Sequence, residues 1–294
     1  MRITQKTIFS SFMRDVNQNR NEMAQIQSSL SSGRSVRAPS QDPISFQSSR
    51  IVEGNIKKTT QYQSNLESGT RQGRLAQEAL DDIVDNLMKV KEVMVKGASS
   101  SVGDSERENM ANQISGIRKN IVDSLNRDYG DRYLFAGTKS DAKPFELSGS
   151  TVTNNSNNKP PKIVAGDGVK INISITGQEI ADVNGQDMFT LLGDIEQAFR
   201  NNDSDGINGL LSESDDMIQH ATDLTSRLGD NINRMNFMYE QYESTRITQE
   251  SDVSELVDTN YAQAFSNLQR NQVAYESAMA VHSKMFENTL LNYI

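Results

Sequence analysis

The chain of 294 residues contains no cysteine, no tryptophan and only two histidines. Without cysteine there are no disulfides, no thiolate nucleophile and no cysteine-ligated metal. The two histidines, His220 and His282, cannot build a histidine-rich metal site, and neither belongs to a Ser–His–Asp pattern. We expect His282 to pack in a helix interface and His220 to be exposed. The sequence therefore predicts no catalytic residue, no cofactor site and no metal site, which is the profile of a non-enzymatic protein.

Apolar residues are also scarce. Only 35% of the chain is hydrophobic, and its mean hydropathy is −0.62. Long helices that each bury one stripe need fewer apolar residues than the core of a globular enzyme. No apolar run reaches the ~20 residues of a membrane span, and the N-terminus lacks the apolar core of a secretory signal. The net charge of −9 argues against a general nucleic-acid binder. We expect neither membrane nor nucleic acid among the partners, and any export would have to proceed without a cleaved signal peptide.

The chain does contain two heptad stripes, one at each end. Spacings of three and four residues are typical of helices that pack lengthwise on one another. Two such helices bury their stripes by pairing with each other or with a neighbouring molecule, so we predict an assembly interface. Its candidate residues are Phe9, Phe12, Val16, Met23, Ile26 and Leu30 near the N-terminus, and Val257, Tyr261, Phe265, Leu268, Tyr275, Met279, Phe286 and Leu290 near the C-terminus.

Polar residues interrupt both stripes. Asn19 lies in the first, and Gln272 and His282 lie in the second. Buried polar residues set register in coiled coils. Asn19 and Gln272 therefore either specify register or point to solvent where the helix rotates out of contact.

Periodicity and turn signals divide the rest of the chain. They predict helices over residues 7–30, 43–96, 105–128, 188–199, 207–248 and 255–294, strands over 133–136, 162–165 and 169–175, a surface loop over 148–161, and a polar hinge over 249–255. The expected fold is mainly α: a long antiparallel helical rod with terminal coiled-coil helices and a small β-rich insert. The predicted divisions are a terminal coiled-coil domain (1–40 and 255–294), a helical rod domain (41–137 and 204–254) and an outer insert (138–203).

Two weaker signals carry little chemistry. Residues 201–206 imitate the start of a calcium loop, but the twelfth position is Ser212 rather than the bidentate Glu that such a loop needs. We interpret this run as a loop and N-cap for the next helix. An enzyme or sugar-binding module in residues 138–203 is a second hypothesis, but the sequence of that insert shows no convergent set of polar residues.

Four motifs, in order along the chain, resemble those of the flagellin superfamily. Residues 30–34 (Leu-Ser-Ser-Gly-Arg) followed by 39–43 (Pro-Ser-Gln-Asp-Pro) resemble the connector after its first helix, although Gln41 stands where the family more often has Asp. Residues 75–80 and 86–92 resemble its long helix, and 229–234 (Gly-Asp-Asn-Ile-Asn-Arg) its returning helix. Residues 133–139 (Tyr-Leu-Phe-Ala-Gly-Thr-Lys) with Pro144 and Phe145 are similar to the hook-associated proteins of the third type.

The resemblance implies a structural adaptor at the hook–filament junction of the bacterial flagellum. Its terminal helices would form an inner tube, and its subunits a ring between the first hook-associated protein and flagellin. The filament cap protein would be a transient partner, and a cytosolic export chaperone would bind the C-terminal region before type III export. The alternative within the superfamily is a minor flagellin that forms the filament itself. We expect residues 1–40 and 255–294 to be largely disordered in the free monomer, because such helices gain most of their stability from packing.

Overall fold

The computed structural model describes residues 2–99, 102–139, 141–149 and 151–290, with the side chains of 2–5 and 285–290 outside the description. The described residues are mainly helical, with small antiparallel strand pairs between the long helices, which confirms the predicted fold class. The helices are α1 (Arg2–Ser32), α2 (Pro43–Gly97), α3 (Asp104–Leu125), α4 (Gly177–Ala181), α5 (Met188–Arg200), α6 (Ser204–Gly209), α7 (Leu211–Val257) and α8 (Tyr261–Leu290). The strands are β1 (Asp128–Tyr129), β2 (Arg132–Tyr133), β3 (Phe145–Ser148), β4 (Thr151–Asn154), β5 (Lys162–Gly166), β6 (Val169–Asn172), β7 (Asp182–Val183) and β8 (Gln186–Asp187).

The chain forms two compact units. Unit 1 comprises Met1–Lys58 and Thr245–Ile294, and unit 2 comprises Thr59–Ser244. Helices α2 and α7 each contribute to both units. The three-part division expected from the sequence stays a prediction.

Unit 1 contains α1, α8, the connector between α1 and α2, and the adjoining ends of α2 and α7. Helix α2 begins where the sequence predicts, because Asp42 caps it and Pro43 occupies its first position. One carboxylate oxygen of Asp42 accepts hydrogen bonds from the backbone N–H groups of Ile44 (3.0 Å) and Ser45 (3.1 Å). The side chain of Gln41 closes the preceding turn by accepting from the backbone N–H of Arg37 at 2.7 Å.

Unit 2 is built around buried helix stripes. The predicted stripe of α2 is fully buried, as are matching residues of α3 and α7 at spacings of three, four and seven: Ala76, Leu80, Ile83, Leu87, Val90, Met94, Ile114, Ile121, Leu125, Met217, Ala221, Leu228 and Met235. Gly69 permits a close approach on the same face. A Cβ there would lie 2.6 Å from Ile163 Cδ1 and 3.0 Å from both Ile173 Cγ2 and Met235 Sδ.

The strands form four separate hairpins, β1–β2, β3–β4, β5–β6 and β7–β8. Two sequence predictions are wrong here. The expected loop over 148–161 contains β4, which pairs with β3 from Phe145↔Asn154 to Ser148↔Thr151. The expected strand over 133–136 ends at Tyr133, since Leu134 and Phe135 are buried in an irregular segment where the Phe135 carbonyl accepts from the Gly177 N–H at 2.7 Å.

The predicted hinge over residues 249–255 is also wrong, because α7 continues through it to Val257. Val253 and Val257 are four residues apart and both buried, so they give this polar segment an apolar face that supports the helix. The break falls instead between Val257 and Tyr261, where α8 begins.

Candidate assembly surfaces of the terminal helices

Helices α1 and α8 pack antiparallel, and the predicted stripe of α1 faces its partner. Contacts join Ser29 to Thr259, Glu22 to Asn271, and Phe12 to His282. Residue numbers therefore decrease along α1 as they increase along the facing segment, which is the antiparallel arrangement. Val16 is buried in this seam. Four further stripe residues of α1 are half-buried: Phe12, Met23, Ile26 and Leu30. Phe9 is exposed, but its ring lies in a tilted contact with the ring of His282.

The predicted stripe of α8 divides between two faces. Leu268 and Tyr275 are half-buried on the side of α1. Tyr261, Phe265 and Met279 are exposed by 57%, 56% and 46%, and helix geometry places them about a quarter of a turn from the α1-facing side. The pair thus leaves an uncovered apolar stripe, which we call the α8 outer stripe: Tyr261, Phe265 and Met279.

Three other predicted residues need separate placement. Val257 is buried, but at the end of α7 rather than in α8. Phe286 and Leu290 belong to α8, and their side chains lie outside the described residues.

Small and polar residues complete the inner face of α8, and the sequence interpretation missed them. Ala264, Asn267, Asn271 and Ala278 are half-buried with His282 at helical spacing. Asn271 donates to Glu22 Oε2 at 3.5 Å. The three-and-four spacing of these residues was readable in the sequence, but a search for large apolar residues does not select Ala and Asn.

The polar members of the stripes are placed differently from one another. Asn19 is half-buried on the α8-facing side, and its Oδ1 atom is buried without a hydrogen-bond partner in the part of the chain that the structure describes. Gln272 is exposed. The expectation that His282 packs in the interface is confirmed by its stacking on Phe12.

The connector ties the end of α1 to the start of α8. Gly33 ends α1 with a φ of +74°, the left-handed conformation that a helix C-terminus favours. The backbone N–H of Thr259 donates to the Gly33 carbonyl at 2.8 Å, and that of Ser35 donates to the Val257 carbonyl at 2.8 Å. The hydroxyl of Ser35 donates to the same Val257 carbonyl at 3.1 Å. These bonds fix the relative register of the terminal helices at their connected end.

Features that could suggest catalysis have structural roles. His220 is half-buried, not exposed as predicted, because its Nε2 lies 2.8 Å from the Glu179 carbonyl oxygen. Asp203 caps α6, accepting from the Gly206 N–H at 2.8 Å, as the sequence predicted for the calcium-like run. Among the described residues, the side chains of His, Asp and Glu nowhere gather in threes as a metal site requires.

None of the described helices has an apolar stretch that could cross a bilayer.

The chain is similar to known flagellar proteins. The model of the bacterial flagellin N-terminal helical region matches residues 3–140. The flagellar hook-associated protein 3 of Escherichia coli is 23% identical, and that of Salmonella typhimurium 20% identical, each alignment covering 97% of both chains. A solved structure of a putative flagellar hook-associated protein from Vibrio parahaemolyticus shares the fold, with a TM-score of 0.68 and 21% identity over 74% of this chain and all of that one. Residues 3–140 therefore carry the flagellin N-terminal helical region, and the chain as a whole is similar to flagellar hook-associated proteins of the third type.

Proposed function

We propose that this protein is a structural adaptor of the bacterial flagellum, joining the hook to the filament at their junction. It works by packing rather than by chemistry. Its terminal helices supply apolar seams to neighbouring subunits, and the ring they form offers one face to the first hook-associated protein and the other to flagellin.

The observation that carries the proposal is the α8 outer stripe. Pairing with α1 leaves Tyr261, Phe265 and Met279 exposed. Aromatic and methionine side chains are enriched at protein–protein interfaces. A second copy of the terminal helix pair, or the equivalent helices of flagellin, would cover them. An adaptor helix has to pack within its own subunit and also on a neighbouring subunit. The α1-facing stripe of α8 serves the first contact, and the outer stripe serves the second.

The remaining partners follow from the family. A cytosolic chaperone would hold the C-terminal helix, including the outer stripe, until export through the flagellar type III channel. The filament cap protein would contact the ring only while flagellin begins to polymerise. The protein would then reside outside the cell, at the hook–filament junction.

Deletion of the gene in its own organism tests the proposal. We expect bare hooks and flagellin shed into the medium, because filament subunits would lack the surface on which they begin to assemble. Electron microscopy of the hooks and immunoblotting of the medium measure both. Hooks that still carry filaments would contradict the adaptor role and favour a minor flagellin, which would also form long filaments from the purified protein alone.

A further inference from the structure

A groove in unit 2 is lined by residues that the assembly surfaces do not use. Its floor is Arg118 of α3, one wall is strand β4, and the other is the face of α5 that carries Phe189, Gly193 and Glu196. The cavity measures about 370 Å³, within the range of ~300–1,000 Å³ that small-molecule sites span. A Cβ on Gly193 would meet no atom within 4 Å, so this residue borders open space.

Arg118 is a buried cation with two unpaired hydrogen-bond donors among the described residues. It is only 2% exposed. Its Nη2 atom lies 2.8 Å from Glu196 Oε2 and donates weakly to Ser115 Oγ at 3.5 Å. Its Nε and Nη1 atoms have no acceptor among the residues that the structure describes. Buried donors are satisfied in folded proteins almost without exception, so a water or a ligand oxygen has to complete these two.

The charges around the groove define what kind of ligand can supply them. Glu196 offsets the charge of Arg118 and also accepts from Arg200 Nε at 3.1 Å and Nη2 at 2.9 Å. The exposed carboxylate of Asp194 lies on the rim and disfavours an anion. A suitable ligand is neutral, with acceptors for Arg118 and donors for the carboxylates. Hydroxyl groups provide both.

We propose that this groove binds a neutral saccharide. The unpaired donors of Arg118 need acceptors and the carboxylates need donors, and each hydroxyl of a sugar ring can supply both. Phe189 and Val152 add apolar surface for the C–H face of the ring. An extended peptide fits less well, because successive groups along its chain alternate between opposite sides. The site does not depend on the assembly role proposed above, and its failure would leave that role untouched.

Titration of the full-length, ¹⁵N-labelled protein with cellobiose, maltose and N,N′-diacetylchitobiose tests the proposal. Digalacturonate is the acidic probe and tetraglycine the peptide probe.

The blocking variant is Gly193→Leu, which fills the groove from a helical position. Its matched control is Gly116→Leu on α3, where a Cβ likewise meets no atom within 4 Å and which lies outside the groove lining. Gly193→Gln is a second blocking variant, so that a folding defect of the leucine variant would not end the test.

We expect at least one neutral disaccharide to shift the amide signals of Thr151, Thr190 and Gln197, which line the groove. Both Gly193 variants should weaken that binding by about tenfold or more, while Gly116→Leu keeps the parent affinity. Three results would overturn the proposal: no neutral probe binds at millimolar concentration, binding survives in the Gly193 variants, or the groove takes the acidic sugar or the peptide in preference to the neutral sugars.

Discussion

His282 stacks its imidazole on the ring of Phe12, with the ring centroids 4.0 Å apart and the planes inclined by 16°. Phe9 approaches the same imidazole in a tilted arrangement, with the centroids 5.7 Å apart. This contact joins one terminal helix to the other far from the connector that links them. It belongs to a seam in which Val16 is the only stripe residue of α1 classed as buried in the described part of the chain, so the seam is much less well covered than the core of unit 2.

We predict that α1 of the free monomer exchanges its amide hydrogens quickly. Its stripe is mostly half-buried, whereas residues such as Leu80 and Ile83 of α2 are fully buried, and local opening is easiest where few apolar contacts are buried. Hydrogen–deuterium exchange with mass spectrometry measures both regions in one sample. Strong protection of residues 9–30 in the monomer, equal to that of residues 76–94, would contradict the prediction.

Phe265→Ser should impair attachment of the filament without unfolding the subunit. Phe265 is exposed by 56% in the α8 outer stripe, so its loss would remove part of the proposed intersubunit surface and leave the α1–α8 seam intact. Swimming speed and flagellin in the medium, measured in a complemented deletion strain, give the readout. The control is Val273→Ser, an exposed apolar residue (63%) on another side of the same helix. Equal motility in the two variants would argue against the outer stripe as an interface.

Gly97→Ala should destabilise unit 2 by about 1–3 kcal/mol. A Cβ at this position would overlap the ring of Phe199, with Cζ 2.6 Å away, and that ring is fully buried, so it cannot turn out into solvent without losing its packing. The free energy of unfolding in urea measures the cost.

Gly116→Ala is the matched control for Gly97→Ala. Its Cβ meets no atom within 4 Å, and alanine is the better helix former, so we expect a gain of up to about 1 kcal/mol. If both variants change the free energy of unfolding in the same direction, close packing is not the reason for glycine at position 97.

The cap of α2 should weaken in acid. Hydrogen bonds from the backbone N–H and the hydroxyl of Ser45 hold the pKa of Asp42 below its usual value of 3.8. A lowered folded-state pKa means that the carboxylate stabilises the fold fully above pH 3.8 and loses this contribution as the pH falls through the folded-state pKa. The opening of the first turn of α2, measured by amide exchange at Ile44 and Ser45, should therefore become more frequent as the pH falls below 3.8.

Asp42→Asn separates this effect from general acid unfolding. Asn caps helices about as well as Asp but carries no titrating group, so its amide exchange at Ile44 and Ser45 should lack the added acid dependence. An identical pH profile for the two proteins would contradict the assignment.

Sequence patterns predicted the presence of the long helices well, because each has a regular apolar stripe or a clear terminal signal. The prediction over 207–248 was less accurate, since the structure divides it between α6 and α7 and continues α7 to Val257. Helix α2 begins at Pro43 and α5 at Met188 as expected, since Asp42 and Asp187 are strong caps. Short apolar runs were less informative. Leu134 and Phe135 are buried outside any strand, and burial alone cannot distinguish an irregular buried segment from a strand.

The candidate assembly surfaces were predictable only in part. The stripe of α1 lies where periodicity placed it, but the α8 stripe is wide enough to cover two faces, and only the partner helix decides which residues turn inwards. The groove at Arg118 had no signal at all. Its lining comes from α3, from β4 and from the continuous stretch of β8 and α5, and no spacing along the chain relates these segments.

The hydrogen bonds of the connector have a consequence for the order of folding. Ser35 and Val257 are 222 residues apart along the chain, and closing so long a loop in an unfolded chain carries a large entropic cost before any contact repays it. The entropic cost falls once the intervening residues have folded and α2 and α7 have formed, because the loop that remains to be closed is then much shorter. Contacts of such high sequence separation form slowly, so the two ends of the chain should meet last, after unit 2 has folded.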